Sequence, residues 1–150
     1  MKKFFLVLGL VSLTAFACDN QSVLAHDKIV TIKNHPYTVQ LADTPEKRAQ
    51  GLSGIDKITD TEGMLFLFGE QGQPAFWMKD MKFPIDILWI SGDKIIEISD
   101  NIQPEPGKSD TELQTYMPFQ NVDKVLEVNA GWASRHDINT GDTITISNPK

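Results

Sequence analysis

The chain has 150 residues, with 14 basic and 20 acidic side chains, and it is 41% hydrophobic and 9% aromatic. These fractions exclude a disordered chain, and only ten glycines and eight prolines exclude a collagen-like repeat. The formal net charge of −6, without a cluster of Lys or Arg, argues against a nucleic-acid partner. The length favours one domain, and the single cysteine excludes an internal disulfide.

The first 17 residues predict a signal peptide. Two lysines precede the apolar stretch FFLVLGLVSLTAFA (residues 4–17), which is shorter than the roughly 20 residues of a membrane-spanning helix. The stretch ends directly before Cys18 in the run AFAC, which resembles a bacterial lipobox. We therefore expect lipidation of Cys18 and a membrane-anchored lipoprotein that faces the periplasm or the outside of the cell.

A second interpretation of the same segment is ordinary cleavage, after Ala17 or after Ala25, which would give a soluble periplasmic or secreted protein. Cleavage before Cys18 removes two lysines and leaves 12 basic against 20 acidic residues, a net charge of −8. Residues 18–27 are polar and without periodicity, which predicts a tether. The remaining residues, 28–150, are expected to form a single β-rich domain.

The alternation of apolar and polar residues predicts a series of short strands. A hairpin is expected from residues 28–33 and 37–42 around a turn at Asn34-His35-Pro36. A short helix follows, with Asp43 or Thr44 as N-cap and Gly51 as its end. The further predicted strands are residues 63–68, 76–81, 85–90, 94–99, 124–129 and 143–147.

The segments between these later strands are expected to be loops and one helical turn. Residues 91–93 are predicted to form a hairpin loop, residues 101–112 a long loop, and residues 132–136 a helical turn. Seven or eight strands with one or two short helices indicate a mostly β fold, a compact antiparallel β-barrel or sandwich.

Several separated motifs occur in one order along the chain. They are Ala42, Thr44, Arg48, Gly51-Leu52, Gly63-Met64-Leu65-Phe66, Phe76-Trp77-Met78-Lys79, Pro84-Ile85-Asp86-Ile87, Val125-Leu126-Glu127, Ala130-Gly131 and Gly141-Asp142. This set resembles the prokaryotic domain-of-unknown-function 192 family over roughly residues 29–146. The resemblance implies a mostly β, often exported domain without an assigned activity. Ser53 and Ile55 stand where members of the family often have Met and Arg.

Two carboxylates lie within apolar strands. Asp86 shares a strand face with Leu88 and Ile90, and Glu127 shares one with Val125. A carboxylate among aliphatic neighbours is costly unless it is paired, so each is expected to have a partner. One interpretation is a pair of structural braces, and the other is a shared pocket in which both acids have raised pKa values and transfer protons.

The neighbouring motif supplies an aromatic side chain and a cation. Trp77 and Lys79 are expected on one strand face, where Trp77 could stack on a flat ligand and Lys79 could meet a carboxylate. Arg48 lies late in the predicted helix and could form a forked pair with Asp86 or with a ligand carboxylate. Simple packing of Trp77 and solvation of Lys79 are the alternatives.

No metal, cofactor or nucleophile is predicted. The three histidines are scattered, residues 56–62 lack the spacing of a calcium loop, and no serine lies in a Gly-x-Ser-x-Gly motif. Gly51, Gly63 and Gly131 are interpreted as positions of unusual backbone conformation or close approach.

Three functions remain open at this point. The first is a non-catalytic envelope module that binds a small ligand or a partner protein through Arg48, Trp77, Lys79, Asp86 and Glu127. The second is a hydrolase that uses Asp86 and Glu127 as acid and base. The third is a structural or assembly factor whose acids only hold the fold.

Overall fold

The computed structural model describes residues 27–149, so the predicted signal peptide, Cys18 and nearly all of the predicted tether lie outside the described residues. Nine strands and two short helices follow one another in the described part of the chain. In order they are β1 (Lys28–Ile32), β2 (His35–Ala42), α1 (Pro45–Gln50), β3 (Glu62–Gly72), β4 (Phe76–Trp77), β5 (Ile85–Ser91), β6 (Lys94–Ile102), β7 (Thr115–Tyr116), β8 (Val122–Asn129), α2 (Trp132–Arg135) and β9 (Ile144–Ser147).

The predicted hairpin of β1 and β2 forms, with its turn one residue earlier than expected. Lys33 and Asn34 form the turn with φ angles of 45° and 67°, and Ile32 pairs with His35. A two-residue hairpin turn of this kind needs positive φ at both positions, which Asn tolerates. His35 and Pro36 therefore belong to β2, where Pro36 precedes the first residue that pairs with β3.

Helix α1 begins and ends where the sequence predicts. The Thr44 side chain accepts a hydrogen bond from the Lys47 backbone N–H at 3.3 Å, and Pro45 occupies the first turn. The helix ends at Gly51, whose φ of 52° favours glycine.

Seven strands form one curled sheet in the order β6-β5-β8-β3-β2-β1-β9. Its edge strands meet at one end, where Lys94 at the start of β6 bridges to Thr143 just before β9. The predicted mostly β, barrel-like fold is thus confirmed as a half-barrel with two short helices. One pair, β2 with β3, is parallel, because the 19-residue connection of residues 43–61 is long enough to cross over between them.

The sheet has a separate apolar core on each face. We call the first the concave core, because it takes residues from both edge strands and from α2; its members include Val30, Val39, Leu65, Leu88, Ile95, Leu126, Trp132 and Ile144. The second, the convex core, lies under α1 and the long connections; its members include Leu52, Met64, Phe66, Met78, Ile85, Ile87, Trp89 and Val125. Period-two alternation along each strand sends neighbouring residues to opposite cores.

The predicted strand of residues 76–81 is wrong beyond Trp77. Asp80 has a φ of 54°, which ends an extended strand, and the Asp80 carbonyl accepts a hydrogen bond from Gly54 N–H at 2.9 Å. The Ser53 hydroxyl donates to the Lys79 carbonyl at 2.8 Å. These bonds tie the segment to the connection after α1, and the short strand β4 pairs instead with β7, which the sequence did not predict.

The helices of residues 27–149 are too short or too polar for one of them to cross a bilayer.

Candidate functional site

A buried acid lies at the centre of the convex face. Glu127 on β8 is only 5% exposed and lies between Met64 on β3 and Ile87 on β5, its directly paired neighbours. Its Oε2 atom is buried and has no hydrogen-bond partner among the described residues. Burial raises the pKa of Glu127 to about 8, so its carboxyl group is protonated at neutral pH.

The close packing of β8 on β3 depends on a glycine. A Cβ atom at Gly63 would lie 2.5 Å from the Glu127 carbonyl oxygen, closer than any side chain allows. Gly63 therefore lets the two strands approach and holds the backbone of Glu127 in place. The interpretation of Gly51, Gly63 and Gly131 as backbone positions is confirmed, since the other two have φ of 52° and 73°.

Glu127 lines a pocket of about 290 Å³ on the convex face, which we call the Glu127 pocket. Its walls are mostly apolar and include Leu52, Phe66, Phe68, Phe76, Trp77 and Met81. Two of these rings belong to a cluster with the buried Trp89, in which Phe76 meets Phe66 and Trp89 edge to face at centroid distances of 4.9 and 5.4 Å. The pocket is thus an apolar cleft with a protonated acid in its lining.

Arg48 reaches the same pocket from helix α1. Its Nη1 atom donates a hydrogen bond to the Leu67 carbonyl at 2.9 Å, and its guanidinium lies 5.5 Å from the centre of the Phe68 ring. No acidic residue of the described chain forms an ion pair with it. The predicted pair of Arg48 with Asp86 is therefore wrong, because α1 packs on the face of the sheet that Asp86 does not reach.

Trp77 forms part of the wall and is 45% exposed, so its ring is accessible from the solvent. Lys79 lies beside it, with Nζ 5.5 Å from the centre of the indole ring, and forms an ion pair with Asp110. That pairing raises the pKa of Lys79. Lys79 lines a neighbouring groove of about 560 Å³, which shares Gln50, Ser53 and Met81 with the Glu127 pocket.

Asp86 lies on the other face of the sheet and is fully buried. Its Oδ1 atom accepts hydrogen bonds from the N–H groups of Asn101 at 2.8 Å and Gly131 at 2.9 Å. Its Oδ2 atom accepts one from Ala133 N–H at 3.0 Å. Asp86 thus accepts hydrogen bonds from backbone N–H groups at the irregular end of β6 and in the first turn of α2. This is the role of a structural brace, one of the two interpretations of the buried acids.

The structure does not bring the two carboxylates into one pocket. Asp86 pairs across the strands with Val128, and Glu127 pairs with Ile87, so their side chains point to opposite faces of the sheet. The shared cavity on which the acid–base pair of the hydrolase hypothesis depends is therefore absent from the described chain. The assembly-factor hypothesis fits Asp86 and leaves the unpartnered Oε2 of Glu127 unexplained.

The aromatic wall is the part of the site that the sequence interpretation missed. Met64, Phe66 and Phe68 alternate along β3, so period two could have placed them on one face. Their position beside Glu127 depends on the pairing of Met64 with Glu127 and of Phe66 with Val125. No local pattern in the sequence gives that register.

Two histidines that are distant in the sequence meet near the end of the β1–β2 hairpin. The rings of His35 and His136 have centroids 4.4 Å apart, and burial lowers the pKa of His136. His26 lies outside the described residues. Within residues 27–149, no group of three or more His, Cys, Asp or Glu side chains is arranged to hold a metal ion.

Fold and site together define a small half-barrel domain that carries an apolar, acid-containing pocket on its convex face. A family model matches residues 28–146, that of DUF192, described as "Uncharacterized ACR". This chain belongs to the DUF192 family. No curated protein matches it.

Two solved structures resemble the chain over most of its length. One is a "putative transcription regulator" from Sinorhizobium meliloti 1021, with 32% identity and a TM-score of 0.73; the match covers 81% of this chain and 95% of that one. The other is a protein of unknown function from Novosphingobium aromaticivorans DSM 12444, with 29% identity and a TM-score of 0.70; the match covers 78% and 83%. The half-barrel is therefore an architecture shared with proteins from these two bacteria.

Proposed function

We propose that this protein is a non-catalytic module of the cell envelope that binds a small ligand in the Glu127 pocket. The observation that carries the proposal is the convergence of Arg48, Trp77 and Glu127, each singled out from the sequence, on one pocket. Asp86 is not part of this site, and Lys79 contributes through its contact with the Trp77 ring.

The chemistry of the pocket favours binding over catalysis. An apolar cleft with a few convergent polar groups is the usual form of a small-molecule site. A hydrolase of the type considered would need a second acid or base near Glu127, and Arg48 is the only other ionisable residue of the pocket lining. A protein that binds and releases a ligand needs no such partner.

The description of the Sinorhizobium meliloti structure as a "putative transcription regulator" suggests DNA as a partner. The net charge of this chain, −6, opposes that function, because phosphate contacts to Lys and Arg supply most of the affinity of such complexes. We therefore favour the small ligand.

The binding role is tested by thermal unfolding in the presence of a panel of envelope sugars, dipeptides and small organic acids. We expect at least one compound to raise the Tm of the wild-type protein, since a ligand at 100 times its Kd stabilises by about 2.7 kcal/mol. Trp77→Ala should abolish that shift, because it removes one wall of the pocket.

Phe119→Ala is the matched control for this experiment. Phe119 is 88% exposed and does not line the pocket, so its loss should leave the shift in Tm unchanged. A panel without any hit, or a hit that Trp77→Ala binds as well as the wild type does, would contradict the binding role.

The proposed localisation at the cell envelope is inferred from the sequence of residues 1–18. In bacteria grown with an alkyne-labelled fatty acid, we expect the wild-type protein to take up the label and Cys18→Ser to lose it and leave the membrane fraction. Ser22→Ala, four residues further on, should behave as the wild type. An unlabelled wild-type protein whose mass corresponds to cleavage after Ala25 would show plain secretion instead.

A further inference from the structure

The two ionisable side chains of the Glu127 pocket, Arg48 and Glu127, can both donate hydrogen bonds to a ligand. Arg48 has five N–H donors, of which the bond to the Leu67 carbonyl uses one. No other residue of the described chain forms an ion pair or a side-chain hydrogen bond with it. A half-buried guanidinium beside an apolar cleft thus keeps donors free for an anion.

Glu127 is the second donor. Its Oε2 atom lies buried without a hydrogen-bond partner among the described residues, and its paired neighbours Met64 and Ile87 carry no ionisable group. The carboxyl group is protonated at neutral pH because of its burial. A buried O–H group without an acceptor is costly, and because Glu127 lines the pocket, a ligand oxygen at its carboxyl group would supply that acceptor.

Among the residues that line the pocket, only Arg48 and Glu127 are ionisable. The remaining walls include four aromatic rings, of which Phe66, Phe76 and Trp77 offer flat surfaces, and the polar side chains of Gln50 and Ser53. At about 290 Å³, the pocket lies at the small end of the range of ligand sites. The pocket is therefore large enough for a ligand with about one ring.

We propose, as a refinement that rests on the binding role above, that the ligand is a small carboxylate with a flat apolar body, whose oxygens accept hydrogen bonds from Arg48 and Glu127. The body packs against Trp77 and the phenylalanine rings. A protonated amine fits poorly, because the positive charge of Arg48 would repel it and the neutral carboxyl group of Glu127 would not attract it. The net charge of −6 opposes an anion only weakly, since salt screens it beyond about 8 Å.

The proposal is tested by titrating the wild-type protein at pH 6.5 with three matched probes: phenylacetate, its neutral amide and phenethylamine. The indole N–H signal of Trp77 in NMR spectra, assigned with Trp77→Phe, reports occupancy. We expect phenylacetate to bind at least tenfold more tightly than the amide, and phenethylamine to bind more weakly still. Equal affinity for the amide or the amine would overturn the carboxylate as the ligand class.

A second titration with phenylacetate tests the role of each polar group. Between pH 6.5 and 9.5 the wild type should lose at least tenfold in affinity, because ionised Glu127 no longer donates and repels the ligand. Glu127→Gln keeps a donor of similar shape and should bind at both pH values within about threefold. Unchanged wild-type affinity at pH 9.5, with a folded spectrum, would overturn the role of Glu127.

Arg48→Gln should weaken binding of phenylacetate at least tenfold at pH 6.5. Arg135→Gln is the matched control, since Arg135 lies on α2 and pairs with Asp60 away from the pocket. If none of the three probes binds and the Trp77-dependent hits of the wider panel include no carboxylate, the carboxylate class fails and the binding role stands. If neither set gives a hit, both fail.

Discussion

Replacing Asp86 with alanine should lower the free energy of unfolding by about 3–5 kcal/mol, because three backbone N–H groups lose their acceptor in a dry environment. The carboxylate is fully buried. Asp86→Asn should cost less, about 2–3 kcal/mol, since it keeps one acceptor oxygen but sets an NH₂ group against an N–H donor. Urea unfolding followed by circular dichroism measures both values.

Asp100→Ala is the matched control for the Asp86 variants. Asp100 is exposed on β6 next to Asn101, so its replacement should change the free energy of unfolding by less than about 0.5 kcal/mol. Because Asp86 lies on the concave side, its folded variants should also keep their affinity for any ligand of the Glu127 pocket. A loss of binding without a loss of stability would mean that Asp86 acts at the site after all.

Two irregular segments of the backbone explain why the fold needs the Asp86 carboxylate as a hydrogen-bond acceptor. The pairing of β5 with β6 shifts in register between Ile85 and Ile87, which leaves Asn101 with a φ of 51° and its N–H outside the ladder. Gly131, with a φ of 73°, begins the short helix α2 without a side-chain cap of its own. The Asp86 carboxylate accepts hydrogen bonds from both segments and so joins the end of β6 to α2.

The alternation of side chains made the faces of single strands predictable. Because Asp86 was predicted to share a face with Leu88 and Ile90, the alternate residues of β5 belong to the other face. The structure puts these alternate residues, Ile85, Ile87 and Trp89, in the convex core. It likewise placed Asp86 with Leu88, which lies in the concave core. What period two cannot give is the relation between faces of different strands, because that depends on register and on the curl of the sheet.

The relation between Asp86 and Glu127 shows this limit most clearly. Each was correctly placed among apolar neighbours, yet β5 and β8 pair so that Asp86 stands opposite Val128. A shift of one residue in this register would have put both acids on one face. The parallel pairing of β2 with β3 and the small sheet of β4 and β7 were missed for a related reason, since they join segments separated by long connections.

Glu127→Gln should stabilise the protein at alkaline pH. A pKa raised from 4.5 to about 8 in the folded protein means that the buried group favours the folded state fully below pH 4.5. That contribution is lost as the pH rises toward 8, because the charged carboxylate must then be held in the apolar pocket or expose itself by unfolding. The loss in the wild type has an upper limit of about 5 kcal/mol above pH 8.

The measurement is the difference in the free energy of unfolding between Glu127→Gln and the wild type from pH 4 to pH 9.5. Other titrating groups affect both proteins alike, so the difference isolates Glu127. We expect it to be within about 1 kcal/mol of zero at pH 4, to favour glutamine increasingly above pH 4.5, and to level off above pH 8 at several kcal/mol. Glu70→Gln, at an exposed position of β3, should give a flat difference. A flat difference for Glu127→Gln as well would mean that the ionised carboxylate finds water or a partner, and the pocket would then hold an ordinary anion at neutral pH.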